Sequence, residues 1–288
     1  VSIVGEVAPA PADRKPNTMY AGVAGDTVQM VYRIYLSDRG SDGAGWGPWA
    51  SSSRPDGLPE LELTLADGTR LTGDAAEIGA EMCENPHLRK ITFTGSTRVG
   101  KLLASNAGKH MKKISMELGG NAPFIVFDDA DLDRAVEGAI ACKFRNSGQT
   151  CVCANRLYVQ AGVYDAFAAK LKAAIEAELK PGNGLEAGIT QGPLINEAAL
   201  AKVDAHVSDA VAKGGTVATG GKRFGNVGTF FEPTMVTGAT SDMKVAREET
   251  FGPLAVLFKF DTEEEAIERA NDTEYGLACY FYSQDLGR

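Results

Sequence analysis

The feature that most constrains this chain is the alternation that begins near Thr72 and continues to the C-terminus. Apolar stretches at 91–93 (ITF), 114–118 (ISMEL), 123–127 (PFIVF), 157–160 (LYVQ), 217–219 (VAT), 234–237 (TMVT) and 254–260 (LAVLFKF) read as strands. Between them, residues 75–84, 96–109, 131–146, 163–179, 197–213 and 262–271 carry apolar residues at helical spacing. Strands that alternate with amphipathic helices predict an α/β fold, a parallel or mixed sheet covered by helices. Asp129 or Asp131 is placed to cap the helix DLDRAVEGAIACKF, and Thr262 with Glu265 three residues on forms a capping-box pattern.

Upstream of about Arg70 the pattern dissolves. Pro9, Pro11 and Pro16 come early, and RGSDGAGWGPWASSSRPDGLP at 39–59 reads as loop or linker. Two stretches there have strand character: 27–36, which is β-branched and aromatic, and 61–71, which alternates and carries an Asp67-Gly68 turn signal. A hairpin or sheet edge is expected from them. No internal repeat is visible.

Composition narrows the functional classes. The 288 residues include 29 Lys+Arg against 38 Asp+Glu, a net charge of −9, so a nucleic-acid backbone is a poor partner. No apolar run approaches the roughly 18–20 residues of a membrane span, and no signal-peptide pattern opens the chain. A cytoplasmic protein without a membrane partner is the expectation, although the chain starts at Val1 rather than Met. Five cysteines, Cys83, Cys142, Cys151, Cys153 and Cys279, are too sparse and odd in number for a disulfide framework, so reduced thiols are expected. His87, His110 and His206 are far apart and none adjoins a cysteine pair, so no metal site is expected.

Four segments carry chemistry. In FRNSGQTCVCANR (144–156) a Gly and small polar residues release a helix and leave Cys151 in a turn, where a thiol is free to act as a nucleophile or is simply a small buried hydrophobe. In MELGGNAP (116–123) Glu117 ends an apolar strand. A carboxylate among apolar residues has a raised pKa and can exchange a proton near neutrality, whereas an ordinary strand-end carboxylate would not. FTGSTRVG (93–100) runs from a strand through Gly95 into a helix opened by Ser96, which suits a pyrophosphate or merely a helix cap. EETFGP (248–253) sets Glu249 and Phe251 in a loop entering a strand. The Glu249 carboxylate there either accepts two ribose hydroxyls or forms an exposed acidic turn.

Together, in this order and spacing, these segments resemble the aldehyde dehydrogenase superfamily, and the wording between them, as in NAPFIVFDDADLDRAVEGA and NDTEYGLACYFYS, resembles its succinate-semialdehyde dehydrogenase group. The resemblance runs from about Leu71 to Arg288. It implies Cys151 as the nucleophile that forms a thiohemiacetal and then a thioester, and Glu117 as the base that activates the hydrolytic water. It implies NAD or NADP as cofactor, contacted by Gly95, Ser96, the Leu118 backbone, Glu249 and Phe251. Arg145, six residues before Cys151, matches the arginine that holds the distal carboxylate of succinic semialdehyde, a role its planar guanidinium suits; a salt bridge at a helix end is the plain alternative. Cys153 matches a partner for a reversible disulfide with Cys151. A small aldehyde is then the substrate, and full-length relatives are expected to be homo-oligomers.

The resemblance also implies parts that are not found here. An asparagine motif that completes the oxyanion hole and a lysine for the adenine ribose have no counterpart in the first 70 residues, where KPN at 15–17 and GPWASS at 47–52 lack the context. Loss of one oxyanion donor costs about a hundredfold to a thousandfold in rate. The expected organisation is an unrelated segment at 1–70, a truncated remnant of the nucleotide-binding domain at 71–118, and a three-layer α/β catalytic domain at 119–288. The expected function is oxidation of succinic semialdehyde to succinate, with a non-catalytic or fusion remnant as the alternative.

Overall fold

The computed structural model describes residues 75–288 and, before them, four short strands: β1 (Gly22–Ala24), β2 (Thr27–Gln29), β3 (Glu62–Thr64) and β4 (Arg70–Thr72). β1 pairs antiparallel with β2, and β3 with β4, in a register that sets residue Leu63 opposite Leu71 along the backbone. The loop read at 39–59, the Asp67-Gly68 turn and the remainder of the 27–36 stretch lie outside the described residues. Two compact units divide the chain, Val1–Leu118 and Gly119–Arg288.

The first unit contains α1 (Ala75–Glu84) and a βαβ element: β5 (Lys90–Thr94), α2 (Thr97–Lys109) and β6 (Lys113–Glu117). The two strands pair in parallel from Lys90↔Lys113 to Thr94↔Glu117. Cys83, Ile91, Leu103 and Ala107 form its small core, with Leu88, Phe93, Val99 and Met116 packed around them.

The second unit is built on a six-stranded sheet of β7 (Ala122–Val126), β8 (Ala154–Gln160), β9 (Thr216–Thr219), β10 (Thr234–Ala239), β11 (Leu254–Phe260) and β12 (Tyr280–Tyr282). Its order is β12-β7-β8-β11-β10-β9, and every neighbouring pair is parallel except β10 with β9. Because side chains alternate across a strand, β11 sends Ala255 and Leu257 to one face and Val256 and Phe258 to the other. Over the first face lie α3 (Leu132–Phe144) and α4 (Tyr164–Glu178), which contribute Ala135, Ala139, Phe167 and Leu171. The second face carries α5 (Glu197–Ala212), α6 (Lys244–Arg247) and α7 (Glu263–Asn271), through Val203, Val207, Val245 and Ala266. The result is three layers. The step from β7 to β8 carries α3 on one face, whereas the return steps from β10 to β11 and β11 to β12 carry α6 and α7 on the other, as crossovers of one hand require.

Local chemistry sets the ends. The Asp131 carboxylate caps α3 by accepting from the Asp133 and Arg134 N–H groups at 3.1 and 3.2 Å. Asp129 instead accepts from Ser283, Gln284 and Asp285. Thr262 accepts from the Glu265 N–H at 3.3 Å, but Glu265 returns its bond to Asp261 rather than to the cap residue. The helix read as reaching residue 146 stops at Phe144, because Asn146 and Ser147 take left-handed backbone angles, φ 52° and 54°. β8 starts three residues earlier than its apolar pattern predicts, since Asn155 and Arg156 are buried polar members of it. α6, of four residues, and β12, of three, are too short to show periodicity.

Phe167, fully buried between α4 and the sheet, is expected to cost about 3–5 kcal/mol on substitution to Ala. Exposed Leu185→Ala should stay within about 0.5 kcal/mol. Urea unfolding of the two variants checks the contrast.

Candidate active site

Parallel strands all start at the same edge of the sheet, so the loops that enter them gather there. Residues 119–121 lead into β7, 145–153 into β8, 248–253 into β11 and 272–279 into β12. Arg145, Cys151, Cys153, Glu249 and Phe251 all belong to two of these loops. This is the opposite edge from the one where open α/β sheets usually bind ligands, beyond the carboxyl ends of their strands.

The segment after α3 is a left-handed turn through Asn146, Ser147 and Gly148, the last with φ 74°. Ser147 is buried and donates to the Gly192 carbonyl at 2.9 Å. Gln149 fastens the next step: its side-chain amide donates to the Pro193 carbonyl at 3.2 Å and accepts from the Ile195 N–H at 2.9 Å. A Cβ on Gly148 would collide with the Gly252 carbonyl, so the cysteine turn and the Glu249 loop touch backbone to backbone. Likewise a Cβ on Gly120 would collide with the Cys151 carbonyl.

Cys151 lies half-buried in this turn and Cys153 is buried, both as free thiols. The Cys153 sulfur sits 2.7 Å from the Thr150 hydroxyl and 3.6 Å from the Lys143 carbonyl. Tyr280, opening β12, donates its hydroxyl to the Val152 carbonyl at 2.8 Å, and burial pushes its phenol up to about 12, so it remains a donor. Arg145 is exposed and has no ion-pair partner among the described residues.

On the facing loop, Glu249 accepts from the Gly120 N–H at 3.0 Å. Burial raises its carboxyl pKa, partly offset by that bond and by Lys202 and Lys143. It is therefore a half-buried carboxylate, not an exposed acidic turn. Phe251 beside it is 38% exposed.

Sequence reasoning missed two residues beneath these loops. Lys143 is completely buried on α3 and donates to the Asn155 side chain at 2.7 Å and the Thr250 carbonyl at 3.4 Å. Burial lowers its ammonium to about 8. His206, buried on α5, pairs with the Thr250 hydroxyl at 2.8 Å and the Glu248 carboxylate at 3.1 Å. The signal was available in the spacing: Lys143 continues the stripe Ala135, Val136, Ala139, and His206 lies between Val203 and Val207 on the buried stripe of α5.

Gly95, Ser96, Glu117 and Leu118 lie in the first unit. Ser96 caps α2, its hydroxyl accepting from the Val99 N–H at 3.4 Å. No acidic residue stands in the first turn of that helix, and the buried Thr97 hydroxyl has no partner among the described residues. Such a helix start suits a phosphate. Glu117 corrects an expectation: its side chain is exposed at the end of β6 rather than set among apolar neighbours. Its carbonyl accepts from the Gly95 N–H at 3.0 Å. Among the described residues no cluster could hold a metal ion, and no helix is long and apolar enough to cross a membrane.

A three-layer α/β unit with a thiol in the turn that enters one of its parallel strands describes a class of architecture; comparison with known proteins supplies the family. The Aldehyde dehydrogenase family profile matches residues 68–288, and the chain belongs to that family. The chain is 61% identical over 218 residues to 3-sulfolactaldehyde dehydrogenase of Pseudomonas putida, covering 76% of this chain and 45% of that protein. Glutarate-semialdehyde dehydrogenase of Pseudomonas aeruginosa is 60% identical and succinate-semialdehyde dehydrogenase (NADP(+)) of Escherichia coli 58%, with the same coverage. Among solved structures, succinate-semialdehyde dehydrogenase from Burkholderia pseudomallei superposes with a TM-score of 0.74 at 61% identity, over 75% of this chain and 45% of that one. An aldehyde dehydrogenase from Brucella melitensis biovar abortus gives 0.73 at 62%, over 76% and 44%. The chain thus spans less than half the length of the curated relatives named here.

Gly120→Ala should force the Cys151 carbonyl away and cost about 1–3 kcal/mol. Gly184→Ala, where a methyl group meets open space, should be close to neutral. Chemical denaturation of both variants measures the difference.

Proposed function

We propose that this chain carries the thiol and anion-recognition chemistry of a semialdehyde dehydrogenase, oxidising succinic semialdehyde to succinate with NAD or NADP. The observation that supports it most is Arg145, exposed, without an ion-pair partner among the described residues, and six residues before Cys151 on the same turn. The substrates in the relatives' names, two semialdehydes of dicarboxylic acids and a sulfonated lactaldehyde, all pair an aldehyde with a distal anion. A guanidinium binds such an anion through two parallel hydrogen bonds and so orients the carbonyl.

In this reading the Cys151 thiolate adds to the carbonyl carbon and gives a thiohemiacetal. The chemistry that NAD or NADP supplies when bound is hydride acceptance, which leaves a thioester on Cys151. Glu117 takes a proton from water, the hydroxide adds to the thioester carbon, the C–S bond breaks, and the thiolate leaves as the acid forms. Gly95, Ser96 and the Leu118 backbone, in the first unit, would hold the pyrophosphate side of the dinucleotide. The Thr97 hydroxyl without a partner and the non-acidic helix start fit that role. Glu249 would accept the ribose hydroxyls and Phe251 flank the nicotinamide. Cys153 is the proposed partner of Cys151 in a reversible disulfide.

Absorbance of reduced cofactor, followed with succinic semialdehyde and either dinucleotide, tests the reading directly. Cys151→Ala should abolish the signal. Arg145→Gln should raise KM for succinic semialdehyde about tenfold to hundredfold, the worth of a charged hydrogen bond of about 1.5–3 kcal/mol, and leave a neutral aldehyde such as butanal within threefold. Equal effects on both aldehydes would remove Arg145 from anion recognition.

Glu249 accepts two hydroxyls most strongly when ionised, and burial favours its neutral form. As pH falls, it therefore protonates above the ordinary carboxylate range. KM for the dinucleotide should rise toward acid in that window, and Glu249→Gln should give a weaker but flatter profile.

A further inference from the structure

The Glu248–Phe251 segment is held from beneath at Thr250 and, through its carboxylate, at Glu248. Its side chains diverge: Glu249 reaches the Gly120 N–H, Phe251 is exposed, and Thr250 between them turns inward to 2% exposure. Lys143 of α3 takes the Thr250 carbonyl, whereas His206 of α5 takes the Thr250 hydroxyl at 2.8 Å. One turn earlier on α5, Val203 lies so close to Gly252 that a Cβ there would strike it. α5 therefore meets this loop at two successive points.

The polarity of the His206 contacts follows from their chemistry. A carboxylate only accepts, so the Nε2 facing Glu248 at 3.1 Å carries the proton. Burial disfavours the charged ring, which leaves Nδ1 as an acceptor for the Thr250 hydroxyl. Glu248 fixes the tautomer, His206 anchors the Thr250 hydroxyl, and Lys143 anchors the Thr250 carbonyl.

We propose that His206 is a positioning residue that holds the Glu249–Phe251 segment through the Thr250 hydroxyl, and so sets how tightly the chain takes a dinucleotide. This rests on the cofactor roles proposed above for Glu249 and Phe251, but the clamp itself can be observed without turnover.

The test combines amide hydrogen exchange with steady-state kinetics on the full 288-residue chain. Thr250→Val keeps the shape and removes the hydroxyl; Thr250→Ser keeps the hydroxyl. His206→Ala removes both contacts; His206→Asn puts a side-chain amide near the Nδ1 position. Exchange at the amides of residues 249–252 should quicken about tenfold or more in Thr250→Val and His206→Ala, with the amides of β8 and β11 unchanged. KM for the dinucleotide should rise about threefold to tenfold in the same variants and kcat change by less than twofold. Thr250→Ser and His206→Asn should recover most of both effects. Unaltered exchange at 249–252 in Thr250→Val overturns the clamp. So does a uniform rise across the sheet with KM and kcat impaired together, since that marks core damage. A wild-type chain with no cofactor reduction would overturn the proposed function instead, and the exchange data would still decide the clamp.

Discussion

The direction of the strands governs everything else in the second unit. Five of its six strands run the same way, so five chain segments enter the sheet at one edge, and those segments carry the cysteine, the arginine and the half-buried carboxylate. Elements distant in sequence become neighbours because they are entrances to strands of one sheet. Gly120, before β7, donates its N–H to the side-chain carboxylate of Glu249, before β11, 129 residues away and on the other side of β8. The helices on the two faces do little chemistry themselves, but they bring polar groups under the loops from either side.

Two of those groups are costly. A buried ammonium and a buried imidazole lose hydration that hydrogen bonds only partly replace. Lys143 recovers some of it from Asn155 and the Thr250 carbonyl, and His206 from Thr250 and Glu248. Both spend their bonds on the same threonine, and that convergence separates them from isolated satisfied core residues. The left-handed turn through Asn146 and Ser147 is a further local cost, since non-glycine residues there each give up about 1–2 kcal/mol. It is met by hydrogen bonds from Ser147 and Gln149 to the 192–195 segment.

Much of this was legible in the residues. Apolar period and turn chemistry located the long strands and helices, and the α/β class with them, because those signals depend on local burial. Elements of three or four residues, β12 and α6, have no period to read. β8 was read short because Asn155 and Arg156 look like loop residues until their partners are known; Arg156 is satisfied by the Asn121, Arg269 and Ala270 carbonyls, all far away in sequence. The motifs identified which thiol and which carboxylates to examine. They did not reveal the surroundings of Glu117, whose strand, Lys113–Glu117, has only Ile114 and Met116 as apolar members and leaves that side chain exposed. Lys143 and His206 each interrupt an apolar stripe with a titratable group, and a stripe of that kind is evidence in itself once it is asked why the polar residue is there.

The edge of the sheet where the strands leave has a different character. There Phe127–Ala130, Ala161–Val163 and Asp261–Thr262 make short connections into helices, capped by Asp131 and Thr262 and tied to one another through Gln160 and to the segment after β12 through Asp129. Chemistry and connection are thereby assigned to opposite edges. The leaving edge is joined by bonds between side chains and backbone, whereas the entering edge is fixed to within the width of a methyl group at Gly120 and Gly148, where backbone meets backbone.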